Sequence, residues 1–307
     1  MRTPLIVSIS YGFEHEIFHC MKDIWATYRR FVRDAADLVF IRTSSEYEPE
    51  QYSYANGEYV FGPSVRPLTK QDSTPTGWNL SMVVDRQLKF YRKLLETQRT
   101  PFWLFAATVT SAIDIPALRL LVDQMECRAC LGGAIEYAGI PPGMGPDFPA
   151  GQYLRFVSGA GTLLSSDLLA LTLERAAMVD QQMQNDLWLA LVLRDVPRTP
   201  LMRYDLTDIT AFDVATRANL ATRIAQARAQ GHFYFRVRSG RWEPEGQLQH
   251  NPTLIDTLVL NDILLALHAS PVDAATQLAG WQKMVRRVSD MEGNRVQPIG
   301  GPHSNHG

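Results

Sequence analysis

Leu5-Ile6-Val7-Ser8-Ile9, a polar turn, the segment Glu14 to Phe31, and then Leu38-Val39-Phe40-Ile41 are the stretches that decide the fold. The first and last are short, mainly apolar runs of the kind that fill a strand buried on both faces. Between them, Ile17, Cys20, Met21, Ile24, Tyr28 and Phe31 recur at three and four residues, the period of an amphipathic helix. Strand, helix, strand in about 40 residues is the unit that builds a parallel sheet, so the chain opens as nucleotide-binding α/β folds do.

Working outward, Ser44 to Pro75 is polar and rich in Tyr, Glu, Gln and Pro, which predicts a long irregular connection with a short strand at Tyr59-Val60-Phe61. Asn79 to Leu95 reads as a second helix. Pro101 to Ala107 is an apolar strand running into Thr108-Val109-Thr110-Ser111, which puts hydroxyls at the carboxyl edge of the sheet, where open α/β folds bind ligands. Further helices are expected at Pro116 to Met125, Ser166 to Met178, Asn185 to Val192 and Pro252 to His268, with strands at Gly132 to Ala138 and Phe233 to Val237. Pro141 to Pro146 reads as a rigid loop, and Phe156 to Leu164 as a glycine-punctuated stretch. The pattern predicts one α/β domain over residues 1–290 and a disordered tail over 291–307, where Gly, Pro, Asn, His and Ser replace apolar residues.

Composition narrows the partners. The 307 residues are 46% hydrophobic with a formal charge of -2, and no Lys/Arg cluster interleaves with aromatics, which argues against nucleic acid. No apolar run approaches the roughly 18 residues of a bilayer span, and the opening run is too short for a signal peptide, so a cytoplasmic protein is expected, with at most peripheral membrane contact. Cys20, Cys127 and Cys130 are an odd number without framework spacing. The Cys127/Cys130 pair lacks the further ligands of a zinc site and reads more simply as two half-buried thiols at a helix end.

Several residues could carry chemistry. Ser158-Gly159-Ala160-Gly161 lacks the spacing of a dinucleotide fingerprint or a P-loop, and its glycines serve equally a tight turn or a ligand lying against the backbone. Asp186 stands just before Leu187-Trp188-Leu189-Ala190-Leu191. It is either a helix cap or a carboxylate facing a cleft, able to take a proton from a sugar hydroxyl, and the roles can coexist. His232 opens the strand ending at Arg238, in which Arg236 and Arg238 alternate with Phe235 and Val237 and so share one face, toward a diphosphate or toward water. No HExxH, nucleophile elbow or Ser-His-Asp order is present.

In order and spacing, the elements from residue 5 to about 265 resemble glycosyltransferase family 31, the β-1,3-galactosyltransferase and Fringe group with its bacterial relatives. Ile24-Trp25 resembles the tryptophan of that family's R-x-T-W element. Trp78-Asn79-Leu80-Ser81 resembles its Y-x-N-L-T helix start, with Val83 in place of the usual lysine. Phe102 to Phe105 leading to Asp114-Ile115-Pro116-Ala117-Leu118 is similar to the strand and helix around its acidic metal motif. Tyr153 to Leu168 resembles Y-P-x-Y-x-S-G-x-G-Y-V-L-S-x-D-L, and Asn185-Asp186-Leu187-Trp188-Leu189-Ala190 falls where the family has E-D-V-Y-x-G.

The resemblance implies a GT-A-type, Rossmann-like fold with a mixed, mainly parallel sheet flanked by helices. It also implies inverting transfer with Asp186 as base. The family's acidic triplet aligns with Thr108-Val109-Thr110, which has no carboxylate to hold Mn or Mg, so a metal-independent enzyme is expected, or one that no longer catalyses transfer. The expected donor is a nucleotide-sugar, UDP-linked, at Ser8, Ser10, Thr108, Thr110, Arg236 and Arg238. The acceptor is a glycan or glycolipid shaped by Ser158, Gly159, Gly161 and Trp188, in surface polysaccharide or lipopolysaccharide synthesis. The rival reading is a non-catalytic carbohydrate- or nucleotide-binding protein on the same fold.

Overall fold

The opening apolar run is strand β1 (Leu5–Ser10), followed by helix α1 (Glu16–Val32) and strand β2 (Asp37–Thr43). They belong to a computed structural model that describes residues 2–12, 16–63, 80–139, 153–179, 185–206, 209, 214–237 and 254–269. The Pro141–Pro146 loop, Arg238 and the 291–307 tail lie outside the described residues.

The buried stripe of α1 is turned from the one expected. Phe18, Met21, Trp25, Tyr28 and Val32 face the core, while Cys20 is exposed and Phe31 is 54% exposed. Both stripes keep the three-four spacing, and the larger ring of Trp25 decides between them. Its indole N–H also donates to the Ser111 carbonyl at 3.1 Å.

The connection after β2 is less irregular than its polarity suggests. Strands β3 (Tyr52–Ala55) and β4 (Glu58–Phe61) form an antiparallel hairpin whose turn places Asn56 and Gly57 at positive φ, the Asn-Gly signature of a tight hairpin. Lys89 ties the connection to the following helix through the Pro49 and Gly62 carbonyls, at 2.6 and 3.3 Å.

Helix α2 (Leu80–Thr97) and strand β5 (Trp103–Thr108) come next, then a short strand β6 (Ser111–Ile113) and helix α3 (Ile115–Val122). Asp114 caps α3 by accepting from Ala117 N–H at 3.2 Å, with Pro116 in the first turn, where its missing donor costs nothing. Cys127 and Cys130 follow α3 as free thiols in the turn before β7 (Leu131–Gly139) rather than on a helix. Cys127 donates to the Phe102 carbonyl, and burial pushes the Cys130 thiol up to about 11, so neither is a ready nucleophile.

The glycine-punctuated stretch is a 13-residue strand, β8 (Tyr153–Ser165), which continues into α4 (Ser166–Arg175). Helix α5 (Asn185–Val192) has the limits expected of it. A single 3-10 turn (Ala176–Met178) follows α4, and short strands β9 (Arg198–Pro200) and β10 (Met202–Leu206), then α6 (Val214–Ala229), β11 (His232–Val237) and α7 (Leu254–Ala269), complete the described elements.

The main sheet runs β3-β4-β2-β1-β5-β8-β7-β9. Pairs β2–β4, β1–β2, β1–β5 and β7–β9 are parallel, whereas β3–β4, β5–β8 and β7–β8 are antiparallel. Helices α2, α4 and α5 cover one face over Ile6, Leu104 and Leu164, and α1, α3, α6 and α7 pack on the other with a second sheet, β10-β11-β6. This is a mixed α/β, Rossmann-like architecture. Strand order reverses on either side of β1, so the crevice between the carboxyl ends of β1 and β5 is the topological switch point.

An ion pair sealed in the core ties the end of α6 to the start of α3, the helices that flank β11 and β6 of the second sheet. Arg228 of α6 donates to Asp114 at 2.8 Å, with side chains 5% and 1% exposed. Gly161 lets the sheets close: a Cβ there would lie 2.8 Å from both the Phe105 ring and the Tyr234 ring.

Candidate functional site

Alternation along β1 sends Leu5, Val7 and Ile9 into one core and leaves Ile6, Ser8 and Ser10 facing α2 and α5. A cavity of about 50 Å³ opens there. Ser8, Ser10, Ala106 and Ala107 form its floor, Arg86 and Gln87 of α2 stand at one end, and Gly159, Asn185 and Asp186 at the other. It lies at the switch point that the topology marks for ligands.

Asp186 is in the first turn of α5, where its carboxylate is partly buried and held by two backbone amides. Leu187 N–H donates to Oδ1 at 3.0 Å and Gly159 N–H to Oδ2 at 3.2 Å. Asp186 lies inside the first turn of α5, which starts at Asn185, rather than at its cap position; one oxygen still takes an early helix amide while the residue lines the cavity. Burial raises the Asp186 carboxyl above the usual carboxylate range, the two amides pull it back, and the charge of Glu136 adds to the rise.

Arg86 was not among the residues expected from sequence. Its guanidinium donates to the Ser10 hydroxyl at 2.6 Å and to the Tyr11 carbonyl at 3.2 Å, and burial lowers its pKa to about 10. The signal for it lay in α2, whose positions 83, 86, 87 and 90 form one stripe. Val83 and Phe90 are apolar there, but Arg86 and Gln87 are polar where an ordinary core-facing helix would carry apolar residues.

The other expected residues divide. Ser8, Ser10, Gly159 and Asp186 meet at the cavity. Ser158 stands beside it, its hydroxyl bound by Arg203 at 2.6 Å in a network that also takes in Glu136 and Asp205. Gly161 faces the opposite core, against Phe105 and Tyr234, so it serves packing rather than a ligand. Trp188 is fully buried and its indole donates to the Val179 carbonyl at 3.4 Å, which leaves no face for a sugar to stack on. Its size and its place next to Asp186 suggested a platform, but the period of α5 turns it under the sheet.

Thr108 and Thr110 lie past the cavity and hydrogen-bond each other at 3.1 Å, with Ser111 within 3.4 Å of Thr108. These neutral hydroxyls do not fit the charged oxygen set that a hard divalent cation takes. Among the described residues, no three His, Cys, Asp or Glu side chains come together as metal ligands. Arg236 pairs in register with Ser111 across β11 and β6, next to this hydroxyl cluster and outside the cavity lining. His232 is buried, against the edge of the Tyr204 ring, and burial lowers its pKa. Among the described residues, no helix is long and apolar enough to cross a membrane.

The chain matches no protein-family model and no curated protein.

Proposed function

We propose that the protein is an inverting glycosyltransferase of GT-A type, moving a sugar from a nucleotide-sugar, UDP-linked, to a hydroxyl of a glycan or glycolipid. The observation that carries this reading is the placement of Asp186: a partly buried carboxylate with raised pKa, fixed by two amides, in a cavity at the switch point of a Rossmann-like sheet. Raising its pKa makes this carboxylate a stronger base than an exposed one, as general-base catalysis favours.

In the reaction, the acceptor hydroxyl gives its proton to an Asp186 oxygen as its own oxygen bonds to the anomeric carbon. The bond from that carbon to the donor phosphate breaks, and its electron pair leaves on the nucleoside diphosphate. Attack from the face opposite the leaving group inverts the anomeric centre. Work on activated sugars in the cytoplasm, for a surface polysaccharide or lipopolysaccharide, is the setting this reaction suits.

A second reading, a binding protein without turnover, is favoured by the neutral Thr108-Val109-Thr110 triplet. Asp186→Asn separates the two. With a panel of nucleotide-sugars and a mixed glycan acceptor pool, the wild type should release nucleoside diphosphate, and the variant should do so about 10²- to 10⁴-fold more slowly while still binding the donor. Equal release by both proteins, or none by the wild type, contradicts the transferase reading.

A further inference from the structure

Arg86 is a half-buried cation with neutral company. A guanidinium carries five N–H donors, and the bonds made here, to a serine hydroxyl and a main-chain carbonyl, leave most of its donors for another partner. Among the described residues no carboxylate lies within ion-pair distance of Arg86, whereas the two fully buried arginines each meet one: Arg119 pairs with Asp123 and Arg228 with Asp114. A charge held partly out of water without a counter-charge is unfavourable, and an anion in the cavity offsets it.

The cavity supplies the room and the direction. Its volume of about 50 Å³, against the roughly 10–15 Å³ that one water needs, suits one or two phosphoryl groups and leaves a nucleoside and a sugar to extend from its mouth. Arg86 and Asp186 line the same cavity without pairing, one beside β1 and the other beside β8. Those strands are separated by β5, so the cation and the base stand about two strand spacings, roughly 10 Å, apart. That spacing lets an anionic leaving group sit at one end while a proton is taken at the other.

We propose that Arg86, anchored by Ser10, binds the diphosphate of the nucleotide-sugar and carries its counter-charge in place of a divalent cation. The inference rests on the transferase reading and deepens it. Planar, permanently charged and able to donate two parallel bonds, the guanidinium holds phosphate oxygens and stabilises the charge that grows as the sugar–phosphate bond breaks.

The test is calorimetric titration of the intact chain with UDP, GDP, CDP, ADP and dTDP in EDTA, for the wild type, Arg86→Gln, Arg86→Lys and Ser10→Ala. One diphosphate should bind the wild type without metal. Arg86→Gln should weaken it about ten- to hundredfold, the equivalent of losing one or two charge-assisted bonds. Arg86→Lys, which keeps the charge but not the fork, should fall between them, and Ser10→Ala should lose a few-fold. If Arg86→Gln does not fold, judged by its melting without ligand, the lysine and serine variants decide. Equal affinity across the variants, or binding by the wild type only when Mn²⁺ is added, overturns the role of Arg86 and leaves the transferase reading standing. A wild type that binds neither diphosphate nor nucleotide-sugar, with or without Mn²⁺, overturns both.

Discussion

The backbone N–H of Gly159 donates to Asp186 Oδ2 at 3.2 Å, tying the middle of β8 to the first turn of α5. A side chain at position 159 would meet Asn185 and Asp186 only at 3.4–3.5 Å, ordinary contact, whereas one at 161 would strike two aromatic rings at 2.8 Å. The two glycines of one short motif thus do different work. Gly159→Ala should leave the melting temperature nearly unchanged, and Gly161→Ala should cost about 1–3 kcal/mol by overpacking, read from chemical denaturation. Equal costs would contradict the assignment.

Asp186 should cost the protein stability. Burial raises its carboxyl pKa in the folded state above the unfolded value, so its contribution is fully present below the unfolded pKa and is lost as pH rises through the folded one. Asp186→Asn should therefore melt above the wild type at neutral pH, with the gap closing as the pH is lowered into the carboxylate range. Melting curves from pH 4 to 8 check this, and a variant that melts lower at neutral pH would contradict it.

The main architecture was legible because apolar runs and turn signals coincide. Leu5 to Ile9, Leu38 to Ile41 and Asn185 to Val192 were readable as they stand, since each is mainly apolar or cleanly bounded. β8 was hidden because Gly159 and Gly161 read as a loop, yet one serves a hydrogen bond and the other a ring contact, and neither breaks the strand. β9 and β10 are short and half-exposed, and they carry arginine and proline, so their strand character comes from pairing with β7 and β11 rather than from local preference. At the site, Asp186 announced itself by motif order. Arg86 did not, because a lone arginine within a helix is usually solvated, and only the fold shows which way that stripe faces.

His268 gives the opposite pH dependence. It stacks on Tyr28 and Phe31, with ring centroids 5.5 and 6.1 Å away, and burial pushes it down to about 4 from an ordinary value near 6.5. Because the folded state holds it neutral, its contribution is present above pH 6.5 and is lost as pH falls toward 4. His268→Gln should flatten the wild type's loss of stability across that window. An unchanged slope between pH 6.5 and 4 would exclude His268 as its source.

The Asp114–Arg228 pair ties α6 to the start of α3 beside the second sheet, and removing one partner strands a buried charge. Arg228→Met should destabilise by about 3–5 kcal/mol, and Asp114→Asn in the same chain should recover part of that loss. Urea denaturation of the single and double variants measures the coupling, and strict additivity would show that the pair does not tie α6 to α3.

The most direct test of the central claim is the melting temperature of the wild type and Asp186→Asn against a panel of nucleotide-sugars. A ligand at a hundredfold excess over its Kd adds about 2.7 kcal/mol, which for a domain of this size is a rise of at least a few degrees. One donor raising both proteins alike, with nucleoside diphosphate released by the wild type alone, is the result this account predicts. No shift with any donor would contradict it.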